Sequence, residues 1–177
     1  NDRIQQAVEG GRIARSAYYR AIDLDDEQAF GKPATEDELL ALEAKLQKPL
    51  PPSYRSFLTM YGSWRMASGA VDLLSVPEML DGPRANDIRE WQTAAEADGD
   101  SLAAHSLVIG YGEVTAIRLL LDPETINEEG EWALVGYEHG VDWSYPSFLA
   151  WLDASLNDFN QLIKEANGTE EELEELK

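Results

Sequence analysis

Residue types that support catalysis are scarce in this sequence of 177 residues. It contains two histidines, His105 and His139, and no cysteine, which excludes thiolate nucleophiles, disulfides and cysteine-ligated zinc. His139 lies in the run Glu138-His139-Gly140-Val141-Asp142, where imidazole and carboxylate groups could ligate a metal or exchange protons. The spacing matches no ligand motif, so we interpret the run as a polar turn and His105 as a structural or surface histidine. The sequence therefore predicts no catalytic residue, no metal site and no cofactor.

Three further segments resemble site motifs only in part. The run Asp23-Leu24-Asp25-Asp26-Glu27 offers hard oxygens, but an EF-hand loop needs glycine at its sixth position, where Gln28 stands, and glutamate at its twelfth. We interpret this run as a solvated connector. The segment Gly110-Tyr111-Gly112 lacks the third glycine of a dinucleotide loop and predicts a hairpin turn. The sequon Asn167-Gly168-Thr169 is interpreted as the end of a helix.

Charge is the strongest signal in the composition. The chain has 34 acidic and 14 basic residues and a formal net charge of −20 at pH 7. Such a surface repels nucleic acid and anionic membranes, and no segment has the ~18 to 20 continuous apolar residues of a membrane helix. We therefore expect neither nucleic acid nor a membrane as a partner. Solubility is one explanation of the acidity, and recognition of a basic protein through complementary potentials is the other.

The candidate contacts for a basic protein lie in predicted loops. Five carboxylates flank the last predicted strand, where loop side chains are exposed on a rigid scaffold: Glu128, Glu129, Glu131, Glu138 and Asp142. Three aromatic residues in predicted loops are candidate anchors, namely Trp64, Trp143 and Tyr145. The alternative for these aromatics is that they hold the loops onto the core. The acidic tail from Glu170 to Glu175 is a weaker candidate because a flexible terminus loses entropy on binding.

The elements that must position these residues are clearest over residues 35–62, which predict two amphipathic helices joined by a proline-rich elbow. Thr35 can cap the first helix, with Glu38 reaching back to it, and Gly62 can close the second. The two apolar stripes have helical spacing and are formed by Leu39, Leu42 and Leu46, and by Tyr54, Phe57, Leu58 and Tyr61. Both stripes need an apolar surface to cover, which predicts a sheet beneath them.

The rest of the pattern supplies that sheet. We predict further helices over residues 4–22, 85–97 and 146–167, and strands over residues 71–76, 107–109, 114–121 and 132–137. Turn signals separate the last three strands, which favours an antiparallel meander. The sequence therefore predicts an α+β domain with helices packed on a mostly antiparallel sheet, followed by a short acidic helix in the tail.

The two-helix segment resembles the SUKH superfamily, which joins fungal cell-wall synthesis regulators to bacterial immunity proteins. The likeness rests on TEDELLALEAKL at 35–46, LPPSYRSFL at 50–58 and the closing Tyr61-Gly62. Looser matches follow in the family's order at residues 73–79, 107–110, 119–122 and 147–152. One departure is Ser63-Trp64 after Gly62, where members often have a second glycine or Asn-Gly. The resemblance divides the chain into an N-terminal helical extension with an acidic connector (1–33), a SUKH-like core (34–152), and a helix continuation with an acidic tail (153–177).

The resemblance also implies a function. Compact bacterial members suggest a non-enzymatic immunity protein that binds and neutralises a toxin, and the acidity would suit a basic toxin such as a nuclease. The alternative is an intracellular regulatory or scaffold protein of the fungal cell-wall regulator type. The lack of cysteine and of an apolar leader favours the cytoplasm.

Overall fold

The structure, a computed structural model, describes the backbone of residues 2–175 and the side chains of residues 2–168. Within this range, seven strands form one antiparallel sheet in which each strand neighbours the next in the chain. The strands are β1 (Ala29–Phe30), β2 (Trp64–Ser68), β3 (Val71–Leu73), β4 (Leu107–Gly112), β5 (Arg118–Ile126), β6 (Trp132–Tyr137) and β7 (Val141–Tyr145). The helices are α1 (Asp2–Ala21), α2 (Glu36–Leu46), α3 (Pro52–Tyr61), α4 (Val76–Leu80), α5 (Pro83–Ala97), α6 (Ser101–His105) and α7 (Phe148–Glu175). The predicted α+β fold with an antiparallel sheet is confirmed.

The predicted two-helix unit forms α2 and α3. Thr35 caps α2, since its Oγ1 accepts a hydrogen bond from the N–H of Glu38 at 3.2 Å. The complete capping box, with bonds in both directions, is found at the start of α4, between Ser75 and Glu78. Gly62 ends α3 with φ +70°, and a Cβ there would lie 1.8 Å from the carbonyl oxygen of Lys32. Only glycine fits this position, because it is the one residue without a Cβ.

The core lies between the helices and both faces of the sheet. Leu119, Leu120 and Leu121 are consecutive in β5 and all buried, so helices cover the sheet on both sides at this strand. The stripe residues Leu39, Leu42, Tyr54, Phe57 and Leu58 are buried in the same cluster, and Leu46 and Tyr61 are half-buried against it. Helix α1 packs along α7 and adds its own apolar residues to this core.

Several element boundaries differ from the sequence expectation. The acidic connector contains the strand β1, in which Ala29 pairs with Arg65 of β2 and Phe30 pairs with Trp64. A strand of two residues is too short to show alternation in its sequence, so it was not predicted. Strand β3 ends at Leu73, because Ser75 caps a helix that the sequence analysis missed. Strand β5 begins at Arg118, after the hairpin loop, and not at residue 114. Helix α7 continues through Asn167-Gly168, where an end was predicted; an interior glycine costs a helix only about 1 kcal/mol.

Candidate interaction surface

The exposed carboxylates predicted to bind a partner lie at two different places. Glu128 and Glu129 are in the β5–β6 turn, whereas Glu138 and Asp142 are in and after the β6–β7 turn; all four are exposed. The two turns lie at opposite ends of β6, whose six residues separate them by about 20 Å. The predicted site is therefore two separate acidic surfaces.

The β5–β6 turn is held by its own polar groups. Asn127 Oδ1 accepts hydrogen bonds from the N–H groups of Glu129 and Glu131, each at 3.0 Å. Gly130 follows with φ +80° and donates its N–H to the carbonyl oxygen of Asn127 at 3.0 Å. The hydrogen bonds that hold the turn do not use the side chains of Glu128 and Glu129, which are exposed to solvent.

Glu131 does not belong to the exposed surface, which corrects the prediction. Its side chain is buried, and the residue is 9% exposed. Oε1 accepts from the N–H of Ser53 at 2.9 Å, and Oε2 accepts from Ser53 Oγ at 2.7 Å. Ser53 lies in the first turn of α3, where N–H groups lack partners within the helix and the helix dipole favours an anion. Glu131 thus fastens β6 to the start of α3.

Trp64 is also structural. It lies in β2, not in a loop, and is 0% exposed. Its Nε1 donates to Gln28 Oε1 at 3.1 Å, and the guanidinium of Arg15 stacks 4.5 Å from its ring centroid. Arg15 is itself buried, with hydrogen bonds to the carbonyl oxygens of Gly11 and Ala67. A side chain enclosed in this way is not available to a partner.

Trp143 and Tyr145 are half-buried residues of the edge strand β7 and not loop residues. Their rings are neighbours on one face, with centroids 5.3 Å apart. Trp143 covers Gly136 on β6 so closely that a Cβ at that position would lie 2.1 Å from its Cε2. The ring therefore fills space that glycine leaves open, which is a packing role, while part of each ring stays accessible.

A concave site that the sequence analysis did not predict lies at the β6–β7 end of the sheet. We call it the acidic notch and define it by Trp91, Asp98, Asp100 and Tyr137. Trp91 of α5 meets Tyr137 of β6 edge to face, with centroids 5.6 Å apart. The two aspartates come from the connection between α5 and α6, where Asp100 Oδ1 also caps α6 by accepting from the Ala103 N–H at 3.0 Å.

Hydrogen bonding fixes the charges of the notch. Tyr137 donates its hydroxyl proton to Asp100 Oδ2, and this bond, with a further contribution from the Ala103 N–H, lowers the pKa of Asp100. The same bond, together with burial and the neighbouring negative charges, raises the pKa of Tyr137 to about 12. Asp100 is therefore an anion and Tyr137 a neutral phenol throughout the physiological pH range.

One cation is already close to this end of the sheet. The guanidinium of Arg118 lies 3.8 Å from the ring centroid of Tyr111 and 5.9 Å from that of Trp91. Its Nη1 donates to the carbonyl oxygens of Gly112 and Ile117, which hold it against the β4–β5 loop. The carboxylates of the notch have no ion pair with it within the described side chains, so they keep their charge for another cation.

Two parts of the acidic notch belong to a segment whose structure the sequence predicts. Trp91 lies in the helix predicted over residues 85–97, and Asp98-Gly99-Asp100 follows that helix directly in the sequence. The missing part was Tyr137, which is 37 residues from Asp100 in the chain. No local pattern links residues at that separation.

The described residues form neither a metal-binding cluster nor a membrane-spanning helix. No group of three or more His, Cys, Asp or Glu residues in the described part of the chain could hold a metal ion. No helix among residues 2–175 is long and apolar enough to cross a membrane.

An antiparallel sheet covered by helices, with candidate binding surfaces at its turns, defines an α+β domain. The chain belongs to the SMI1 / KNR4 family (SUKH-1), whose family model matches residues 33–154. The resemblance to the SUKH superfamily stated from the sequence is thereby confirmed. A comparison with curated proteins finds no match to the chain.

Proposed function

We propose that the chain is a non-catalytic immunity protein that binds a basic toxin in the cytoplasm and neutralises it by covering the toxin's active surface. The observation that carries this proposal is the acidic notch, a concave site with aromatic walls and anionic edges in a chain of net charge −20. Membership of a SUKH family supports protein binding as the activity.

The notch has the chemistry to receive a lysine or arginine side chain. A cation against an aromatic ring contributes about 0.5 to 2 kcal/mol, and more when water is excluded. Asp98 and Asp100 lie beside the Trp91 and Tyr137 rings, so a cation placed there would meet two carboxylates as well. Glu138, directly after Tyr137 in the chain, extends the negative surface at the same end of β6.

A basic toxin would be drawn to this surface before contact. Enzymes that act on nucleic acid carry cationic clefts for phosphate, and a carboxylate-rich surface can occupy such a cleft in place of the substrate. Complementary charge acts chiefly on the association rate, which can rise by ~10-fold or more at low salt. The acidity would then serve both recognition and inhibition.

The test is association with any basic protein that a neighbouring gene encodes, measured by stopped flow at low and high salt. The notch variant carries Asp98→Lys and Glu138→Lys, and the matched control carries Glu128→Lys and Glu129→Lys at the other end of β6. We expect the notch variant to associate about tenfold more slowly, with a flatter salt dependence, and the control to change less than about twofold.

Equal effects of the two variants would show that the net charge alone matters and would remove the notch from the proposal. If no basic protein binds, the immunity function fails and the fungal-type regulatory or scaffold role becomes the better hypothesis.

A further inference from the structure

A second concavity, unrelated to the notch, lies beneath the other side of α5. It is a partly enclosed cavity of about 160 Å³ between α2, α4, α5, α6 and the start of β4. Its apolar wall is formed by Leu42, Leu46, Met79, Ile88, Leu107 and Val108. It shares no residue with the acidic notch. Any ligand of this cavity can therefore be studied separately from the toxin.

The volume sets the size of a ligand. An engineered protein cavity of ~150 Å³ with a similar aliphatic lining holds one benzene molecule. The cavity beneath α5 can therefore enclose about six carbon atoms, which excludes nucleotides and peptides and suits a short aliphatic chain.

One polar group in the wall lacks a partner. Ser106 is 5% exposed, and its Oγ makes no hydrogen bond with the described residues. Its carbonyl oxygen is satisfied, because Gln92 Nε2 donates to it at 2.8 Å. Buried hydroxyls without a partner are uncommon in folded proteins, and each one calls for a reason. The Oγ has almost no solvent-accessible surface, so it does not open into the cavity and cannot contact a ligand there.

The residues at the mouth of the cavity are basic, although the protein as a whole is acidic. The charged or ionisable residues that line it are Lys45, Arg89 and His105, and none of its lining residues is acidic. Lys45 is held there by the carbonyl oxygen of Met79, 3.5 Å from its Nζ, while His105 Nε2 lies 3.0 Å from Glu96. In a chain with 34 acidic and 14 basic residues, this lining favours an anionic group.

We propose that this cavity binds a short-chain aliphatic carboxylate of about six carbons. The hydrocarbon chain lies among the apolar wall residues, and the carboxylate stays at the mouth. There it is attracted by Lys45 and Arg89. The site would make this protein responsive to a small amphiphilic anion as well as to a protein partner.

The probe is sodium hexanoate, titrated into the ¹⁵N-labelled full chain and followed by amide chemical shifts. We expect saturable shifts in the millimolar range at Leu46, Ile88 and Ser106, which all line the cavity. Hexylammonium, with the same chain and the opposite charge, should produce no saturable shift at these residues. Lys45→Gln should weaken hexanoate binding by roughly threefold to fivefold, because an exposed ion pair contributes up to about that factor.

Two controls keep the result interpretable. Lys32→Gln removes an exposed lysine that does not line the cavity, and it should leave hexanoate binding unchanged. Ser106→Ala should leave hexanoate binding unchanged as well, because the Ser106 Oγ does not open into the cavity. If hexylammonium binds as tightly as hexanoate, or if the saturating shifts fall on residues outside the cavity, the proposal is wrong. Loss of hexanoate binding in Lys32→Gln to the same degree as in Lys45→Gln would show general attraction of the anion and would also overturn it.

Discussion

The two ends of β6 carry similar numbers of carboxylates and use them differently. At the β5–β6 turn, Glu131 is buried against the start of α3, whereas Glu128 and Glu129 are exposed on a turn whose own residues include no aromatic side chain. At the β6–β7 end, Asp98 and Asp100 border a concave site with aromatic walls. Acidic composition alone does not define a binding surface. What distinguishes the second end is that its carboxylates meet aromatic rings in a concavity, where a partner side chain can be enclosed.

The largest effect that tests this comparison is expected at Glu131. Glu131→Ala removes the acceptor of the Ser53 N–H and hydroxyl groups, both of which are buried. Hydrogen bonds to a charged group contribute more than neutral ones, so we expect a loss of about 2 to 3 kcal/mol in the free energy of unfolding. Urea denaturation measures it, with Glu128→Ala as the exposed control from the same turn. An unchanged midpoint for Glu131→Ala would place that side chain on the surface and return it to the list of binding residues.

An intermediate effect is expected at the notch. Tyr137→Phe removes the hydrogen bond to Asp100, so the pKa of Asp100 should rise toward its ordinary value, and stability should fall by about 1 kcal/mol. The carboxyl ¹³C shift of Asp100, followed against pH, measures the first quantity. If the pKa of Asp100 does not move in Tyr137→Phe, the bond that fixes the charges of the notch is absent.

The pH dependence of that stability difference follows from the two pKa shifts. The folded-state pKa of Asp100 is lowered, so its contribution is present above the unfolded value near 4 and is lost as pH falls through the folded value. The folded-state pKa of Tyr137 is raised, so its contribution is present below about 10 and is lost as pH rises toward about 12. The difference between the wild type and Tyr137→Phe should therefore be constant between these limits, and it should shrink both in acid and above about pH 10.

Local periodicity predicted the elements that carry long apolar stripes. The stripes of α2 and α3, and the apolar run of β6, are strong enough to indicate both type and position from neighbouring residues. For β4 only the type and the start were predicted, since Gly110-Tyr111-Gly112 was interpreted as a hairpin turn and lies within the strand.

Strand β7 was missed although residues 141–145 alternate between apolar and polar types, because this segment was interpreted as a loop. Strands β1 and β2 were missed because they are defined by pairing with neighbouring strands and their own sequences show little period. The same limit applies to individual side chains. Trp64 is enclosed by Gln28, 36 residues away, and Glu131 bonds to Ser53, 78 residues away.

Exposure was predictable where it depended on turn chemistry alone. Asn127 and Gly130 indicate a tight turn, and the exposed positions of Glu128 and Glu129 follow from it. The notch was not predictable, because it combines Trp91 of α5 with Tyr137 of β6 and the α5–α6 connection. Concavity is a property of elements packed together, and no single segment of the sequence contains it.

The smallest effect is expected for the substitution of Glu129. This substitution distinguishes the exposed acid of the β5–β6 turn from the buried one. Glu129→Gln removes a charge but keeps the backbone N–H of residue 129. That N–H donates a hydrogen bond to Asn127 Oδ1, so the turn itself should persist. We expect a stability change within about 0.5 kcal/mol, as for most exposed substitutions, and an association rate with the basic partner within about twofold of the wild type. Glu131→Gln, two residues further along the same turn, is the matched comparison, because it also removes one charge but at a buried position beside α3. Thermal unfolding of both variants in one buffer makes the measurement. If Glu129→Gln destabilised the protein as much as Glu131→Gln, the carboxylates of this turn would act together, and the division between a structural and an exposed acid that separates the two ends of β6 would not hold.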